Sequence, residues 1–280
     1  MLDNTQKYEL KNLAVKIRMG AVHAIAKAVL PAGHIGGAMS IAEVLAVLYG
    51  KEMDTDPADP KKFDRDTLVL SKGHTAPALY AVLAEKGFFP REWLDTMNYG
   101  GTNLPSHVDR LKVPGVDATA GSLGQGLSIA LGIALANRIA GCDRYSYCIV
   151  GDGESQEGQV WEAAMYAAHE KVDHLIAFVD WNKKQLDGDL SEVCDMGSFE
   201  EKFRAFGWFA QTVDGHDVEQ IDDAIQRAKA QSGKPSVIVL DTVKGKDALD
   251  IETMKYNHVA PIGPEKYDQL MAHFQSELVS

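Results

Sequence analysis

Two stretches of this chain follow one pattern, an apolar run ending in a polar loop. The first is Tyr145-Ser146-Tyr147-Cys148-Ile149-Val150, followed by Gly151-Asp152-Gly153. The second is Leu175-Ile176-Ala177-Phe178-Val179, followed by Asp180-Trp181-Asn182-Lys183-Lys184. Asn182 comes after the Gly-Asp-Gly with 28 residues intervening, 154 to 181. Within that interval residues 157–171, rich in Ala, Glu and Met, read as a helix. Strand, loop, helix, strand, loop is the unit of a parallel sheet. Both loops then leave the same sheet edge, where such sheets bind ligands. One carboxylate (Asp152) and one amide oxygen (Asn182) face each other across a crevice. Oxygen donors of this kind suit a hard cation such as magnesium, completed by a ligand's phosphates and water. Gly151 and Gly153 allow a tight turn and close approach of the backbone to a diphosphate. The helix starting near Glu157 is expected to offer its free N–H groups to the same ligand.

Familiar nucleotide motifs do not fit. A dinucleotide fingerprint needs glycine at 156, where Gln156 stands, and no Gly-x4-Gly-Lys-Ser/Thr occurs anywhere. The remaining chain alternates in the same way. Leu10, Leu13, Ile17, Ala21, Ala24, Ile25 and Ala28 recur at helical spacing and predict a long first helix, ended by Pro31-Ala32-Gly33. Ser40, with Glu43 three residues on, gives a capping-box pattern for the next helix. Residues 67–70 read as a short buried strand and 126–139 as an Ala/Leu-rich helix. Residues 199–206 and 218–231 read as helices, with strands at 207–213 and 236–241. Residues 99–120 form a long aperiodic loop, and loops of that length are uncommon unless functional. The expected fold class is therefore α/β: a parallel sheet sandwiched by helices, with residues 1–280 as one domain.

A net charge of -12 argues against non-specific nucleic-acid binding. The longest apolar stretch, residues 127–136, is too short to span a bilayer. The polar N-terminus has no signal-peptide pattern. Cys142, Cys148 and Cys194 are odd in number and lack metal-ligand spacing, so they suit small buried side chains in a reducing compartment, with a cytoplasmic location as the default.

Four histidines sit in Gly-rich or irregular segments: Gly33-His34-Ile35-Gly36-Gly37, Lys72-Gly73-His74, Ser106-His107 and Asn257-His258. Loops at the ends of elements gather functional residues, and imidazole can bond a phosphate or hydroxyl and exchange a proton near neutral pH. His23, His169, His174, His216 and His273 lack that context and read as ordinary surface or capping residues.

Gly-Asp-Gly, a spacer near this length and then Asn resembles the thiamine-diphosphate motif. Over nearly all its length the chain resembles the N-terminal half of transketolase. The residues that carry the likeness are Gly33-His34, Ser71-Lys72-Gly73-His74, Ser106-His107 before Pro114-Gly115, Gly121-Ser122-Leu123-Gly124-Gln125-Gly126, and Val179 through Gly188. The resemblance implies a thiamine-diphosphate-binding fold. It implies that Asp152, Asn182 and the carbonyl of Lys184 hold magnesium. His74, His258, Gly153 and Asn182 would contact the cofactor's diphosphate side, and Gly121, Ser122 and Leu123 its aminopyrimidine ring. His34, His107 and His258 would bond donor-sugar hydroxyls and assist proton transfer. Glu157 and Glu162 match acidic residues near the interface between two active sites.

The implied reaction moves a two-carbon ketol unit from a ketose to an aldose. The form of residues 179–188 is close to that of separate N-terminal subunits. The implied partner is then a C-terminal subunit supplying a pyrimidine-binding domain with its essential glutamate, with two copies of each in the assembly. Two alternatives stand beside this: the alpha subunit of a 2-oxo-acid dehydrogenase, and a non-catalytic thiamine-diphosphate or magnesium binding module. Several positions depart from the family pattern. Ser122 replaces a common Pro, Trp181 stands where a smaller or acidic residue is usual, residues 247–256 match poorly, and His107 lacks a following Pro-Glu. The last leaves the donor sugar open, sulfonated and branched sugars included.

Overall fold

A computed structural model describes residues 2–279. Five strands form the central sheet: β1 (Thr67–Leu70), β2 (Ser146–Gly151), β3 (Leu175–Trp181), β4 (Phe209–Asp214) and β5 (Ser236–Asp241). All neighbours run parallel, in the order β1-β2-β3-β5-β4. The helices that cover it are α1 (Asn4–Lys27), α2 (Ala76–Glu85), α3 (Gly126–Ile139), α4 (Gly158–His169), α5 (Phe199–Ala205), α6 (Val218–Lys229) and α7 (Pro264–Glu277).

Both faces of the sheet are covered, so its inner strands read as unbroken apolar runs. The two-residue period of a strand then splits them between two cores. Leu68, Leu70, Tyr147, Ile149, Ile176, Phe178, Ile238 and Leu240 face one core, shared with α1, α2, α6 and α7. Val69, Cys148, Val150, Ala177, Val179, Val237 and Val239 face the other, shared with α3, α4 and α5. Register puts Gly151 beside Asp180, and Trp181 beside Asp241. The residues leaving β1, β2, β3 and β5 therefore emerge together on one edge.

Three local expectations are corrected. Ser40 caps no helix N-terminus: the helix that follows it, Ala42–Val47, has Ile41 in that place and no side-chain cap. Ser40 instead donates to Asp180 and to the Gly37 carbonyl. Glu43 is buried against Arg18 and closes no capping box. A capping box does form at the start of α1, between Asp3 and Gln6. Of the three cysteines, all unbridged, only Cys148 is buried; Cys142 is partly exposed and Cys194 exposed. The other element bounds fall within a few residues of expectation, as helix ends fray.

Arg18 and Glu43 form an ion pair at 2.8 Å in the core beneath α1, with Arg18 2% exposed. Burial pushes the Glu43 carboxyl up, but the Arg18 charge and a hydrogen bond from His216 outweigh it, and the net shift is downward. The pair thus stabilises the fold above the ordinary carboxylate range, and that contribution fades as pH falls through the lowered value. Arg18→Ala leaves a buried carboxylate without its counter-ion and is expected to cost about 3 kcal/mol. Urea unfolding measures this; a loss under about 1 kcal/mol, the range of exposed pairs, would place the pair in a far wetter setting.

Candidate active site

Asp152 follows β2 and Asn182 follows β3, both almost fully buried, at 2% and 6% exposure. One Asp152 carboxylate oxygen accepts from the Gly153 N–H (2.7 Å), the other from the Lys183 N–H (2.6 Å). Lys183 holds a left-handed backbone, φ 65°, a conformation that costs a side-chain-bearing residue about 1 kcal/mol. Its ammonium lies 4.9 Å from the Trp181 ring centroid and donates to the Thr242 carbonyl. Trp181, the departure from the family pattern, thereby braces this strained turn. The Asn182 amide oxygen accepts from Lys184 N–H at 3.2 Å, and the Lys184 carbonyl accepts from Lys244 Nζ at 2.9 Å. Asp152, Asn182 and Lys184 thus line one crevice.

Beneath them lies Asp180, wholly buried. It accepts from Ser40 Oγ (2.8 Å), Thr242 Oγ1 (2.6 Å) and Asn182 Nδ2 (2.7 Å), and pairs with Lys72. Burial raises its pKa, but the Lys72 charge and its hydrogen bonds bring the net shift down. Asp152 moves the other way, to about 6, through burial and then the charge of Asp180. A divalent cation beside Asp152 would offset both penalties.

The crevice holds about 180 Å³ and is lined by Lys72, His74, Leu123, Gly153, Lys244 and His258, among others. Two glycines are needed there for room. A Cβ on Gly153 would stand 2.9 Å from Gln185 Cβ, and one on Gly37 2.9 Å from Thr75 Cγ2 and 3.3 Å from Lys72 Nζ. Gly153 has an ordinary φ of -66°, so the expected tight turn does not depend on glycine's conformational freedom. The helix N-terminus is also corrected. A one-turn 3-10 helix, Glu154–Gln156, intervenes between Asp152 and α4, and Gly158 lies exposed beyond it. The first N–H groups of α4 are therefore displaced from the crevice.

The four loop histidines converge. Ring centroids of His34 lie 5.2 Å from His74, 5.5 Å from His107 and 5.2 Å from His258; His74 and His258 are 4.8 Å apart. A short antiparallel bridge, Ala32–Gly33 with Ala260–Pro261, brings His34 and His258 together from opposite ends of the chain. Burial first, then the charges of Lys72 for His74 and Lys244 for His258, push both imidazoles down, His258 to about 3. Burial also lowers His34, helped by His107, and lowers His107 itself. All four are neutral imidazoles at pH 7, each with one donor and one acceptor nitrogen. The Nδ1 of His258 is buried without a protein partner.

Several residues of the site carry no such role in the sequence reading. Lys244 is 5% exposed, and burial with the nearby Lys72 charge lowers it to about 8. The signal for Lys244 was its place just past β5, on the ligand-binding edge. Glu154 accepts from Ser71 Oγ, from Gly124 N–H (2.8 Å) and from Gly151 N–H (2.9 Å). It ties together the loop of Gly121, Ser122 and Leu123, the segment leaving β1 and the Gly-Asp-Gly turn. A Cβ on Gly121 would lie 3.9 Å from His107 Cδ2, which sets that loop beside the histidine cluster. Ser122 is exposed, as are Glu157 and Glu162, which stand at and within the start of α4.

Residues 10–277 match the family profile described as transketolase, thiamine diphosphate binding domain. The chain belongs to the transketolase family. It is 48% identical over 272 residues to the 6-deoxy-6-sulfo-D-fructose transketolase subunit SqwG of a Clostridium species, covering 97% of this chain and 98% of that one. It is 38% identical over 259 residues to one of the subunits of the apulose-4-phosphate transketolase of Actinobacillus succinogenes, covering 92% and 93%. Transketolase from Leishmania mexicana superposes with a TM-score of 0.90 at 32% identity, covering 95% of this chain and 41% of that chain. The chain thus spans about two-fifths of a solved transketolase and nearly all of the relatives named as subunits. It is a transketolase N-terminal subunit, not a 2-oxo-acid dehydrogenase subunit. Its cofactor is thiamine diphosphate with a divalent metal such as magnesium. No helix among the described residues is long and apolar enough to cross a membrane.

Proposed function

We propose that this subunit holds the diphosphate end of the cofactor and the donor sugar of a two-component ketol transfer. The observation that carries the reading is the meeting of two sets of residues: four converging histidines, and an Asp152–Asn182–Lys184 crevice flanked by Lys72 and Lys244. Magnesium fits Asp152, Asn182 and the Lys184 carbonyl because all three offer oxygen, its preferred donor. The diphosphate fits the remaining walls: two buried ammonium groups, the open sides of Gly37 and Gly153, and the unpartnered Nδ1 of His258. Gly121, Ser122 and Leu123 face the aminopyrimidine ring, Leu123 from the crevice wall itself.

When bound, the cofactor supplies a carbanion equivalent that breaks and forms carbon–carbon bonds. The chain's own residues position and move protons. His74 and His258 line the crevice and bond the diphosphate. His34 stands one ring outward and His107 beyond it, where they bond donor hydroxyls and exchange their protons; His258 faces both His34 and His74. Neutral imidazoles suit this, since each can accept a hydroxyl proton at one nitrogen while donating from the other. The donor is a ketose with an anionic end. The relative at 48% identity makes 6-deoxy-6-sulfofructose the first to test. Residues 1–280 act as one domain in a cytoplasmic assembly with two copies of each component, matching the closed symmetry of most oligomers. The partner brings the pyrimidine-binding domain with its glutamate, and Glu157 and Glu162 lie at the interface between sites.

Purified chain mixed with its partner, thiamine diphosphate and magnesium should transfer a ketol unit from the sulfonated ketose to an aldose. The chain alone should give no turnover. Turnover by chain rigorously freed of partner would sink the two-component reading. Decarboxylation of a 2-oxo acid without ketol transfer would sink the assigned reaction.

A further inference from the structure

His216 lies outside the histidine cluster, in the turn Asp214-Gly215-His216-Asp217 that leaves β4. The turn is pressed onto the loop leaving β5. Gly215 N–H donates to the Asp241 carbonyl at 2.9 Å, and a Cβ on Gly215 would stand 2.4 Å from Thr242 Cγ2. The turn is also closed on itself, His216 N–H donating to Asp214 at 2.9 Å. This delivers the imidazole between two elements. Its Nε2 accepts from the Val243 N–H at 2.9 Å, and its Nδ1 lies 3.2 Å from Glu43. A backbone N–H can only donate, so Nε2 is the acceptor and Nδ1 carries the proton toward the carboxylate. Glu43 is fixed in turn by Arg18, which also donates to the Met39 carbonyl at 3.2 Å.

The chain of bonds ends one residue from Lys244. The Val243 side chain is 41% exposed and anchors nothing, whereas Lys244 is buried with Nζ on the Lys184 carbonyl. Thr242 and Gly245 are pinned on either side, the first to Asp180 and the second to the Gly36 carbonyl. Between those pins, the peptide joining Thr242 to Val243 is held at both ends, its carbonyl by Lys183 Nζ and its N–H by His216, and the His216 bond helps to set the direction in which Lys244 leaves the backbone.

We propose that His216 is a positioning residue for cofactor binding: through the Val243 amide it aims the Lys244 ammonium at the diphosphate crevice. This rests on the functional reading above. Partners that orient a liganding group typically change affinity by about 10–100-fold when removed.

The test uses two substitutions that separate the two ring nitrogens. His216→Asn can still donate to Glu43 but is too short to accept from Val243. His216→Gln can place its amide oxygen near the position of Nε2. In the chain with its partner, H216N should weaken thiamine diphosphate binding in magnesium about 10-fold or more, with a melting temperature close to that of the unmodified protein. H216Q should stay within about 3-fold, a margin below the range for removed orienting partners. In a Lys244→Met background, H216N should change affinity by less than about 2-fold, because residues coupled through one backbone segment share their effect. Equal losses in both backgrounds, or no loss with H216N, would overturn the proposal. If H216N does not fold, the cycle is run with H216Q and His216→Leu, with the same criteria for the Leu variant. If the unmodified assembly binds no thiamine diphosphate, the functional reading fails by itself. The positioning claim is then decided by amide exchange at Val243 in the chain alone. Faster exchange in H216N than in H216Q supports it, and equal exchange overturns it.

Discussion

Asp152→Ala is expected to weaken magnesium-dependent binding of thiamine diphosphate by roughly 100-fold or more, as removing one member of a buried charge pair commonly costs 3–5 kcal/mol. Asp152 is the one carboxylate among the three oxygen donors, and both its oxygens are already oriented by backbone N–H groups from Gly153 and Lys183. No neighbour can replace it. Asp180 is engaged by Ser40, Thr242, Asn182 and Lys72, and Glu154 by three donors of its own. The loss should be specific to the metal. With magnesium removed, the variant and the unmodified chain should bind the cofactor equally weakly, because Lys72, Lys244 and the histidines remain. Calorimetric titration of the assembled enzyme, with and without magnesium, measures both. Unchanged affinity in magnesium would refute the metal assignment. An equal loss without magnesium would point instead to collapse of the Lys183 turn.

His34→Ala and His107→Ala should each lower kcat for ketol transfer by about 10²–10⁴-fold, the usual contribution of a positioned acid–base group. Cofactor affinity should change only a few-fold, a small effect beside the 10–100-fold lost when a ligand-orienting group is removed. The reason is placement. His74 and His258 line the crevice beside Asp152, whereas His34 and His107 reach it only across another ring. His74→Ala should therefore reduce cofactor affinity as well as turnover. Steady-state kinetics paired with cofactor titration separates the two groups. A comparable fall in cofactor affinity for His34, His107 and His74 variants would erase this division of labour.

Much of this architecture was legible in the chain because its signals are local. Buried parallel strands must be apolar throughout, so residues 146–151, 175–181 and 236–241 announce themselves. The strand–helix–strand order then fixes which ends share an edge, and that alone brings Asp152 and Asn182 together. The motif glycines and histidines were found by the same logic, since they sit where elements end. Local signals failed where a side chain had two competing partners. Ser40 and Glu43 have the spacing of a capping box, but buried charges on Asp180 and Arg18 bind them more strongly than a helix terminus does. The α4 N-terminus lies where expected, at Glu157–Gly158, but stays off the crevice because Glu154 turns its carboxylate inward, onto Ser71, Gly124 and Gly151, and a tight turn intervenes.

By itself, the sequence determined the class of fold, the edge that binds ligand and the residue types gathered there. Tertiary structure alone decided their mutual geometry. The meeting of His34 with His258 depends on a two-residue bridge between segments more than 220 positions apart, which no periodicity records. The setting of Lys244 depends on its bond to the Lys184 carbonyl and on Asp180 holding Thr242, through contacts that form only when β3 and β5 lie side by side. Such contacts join residues distant in sequence. Their strength comes from burial, which raises the cost of every unpaired charge and so leaves each buried group few arrangements it can keep.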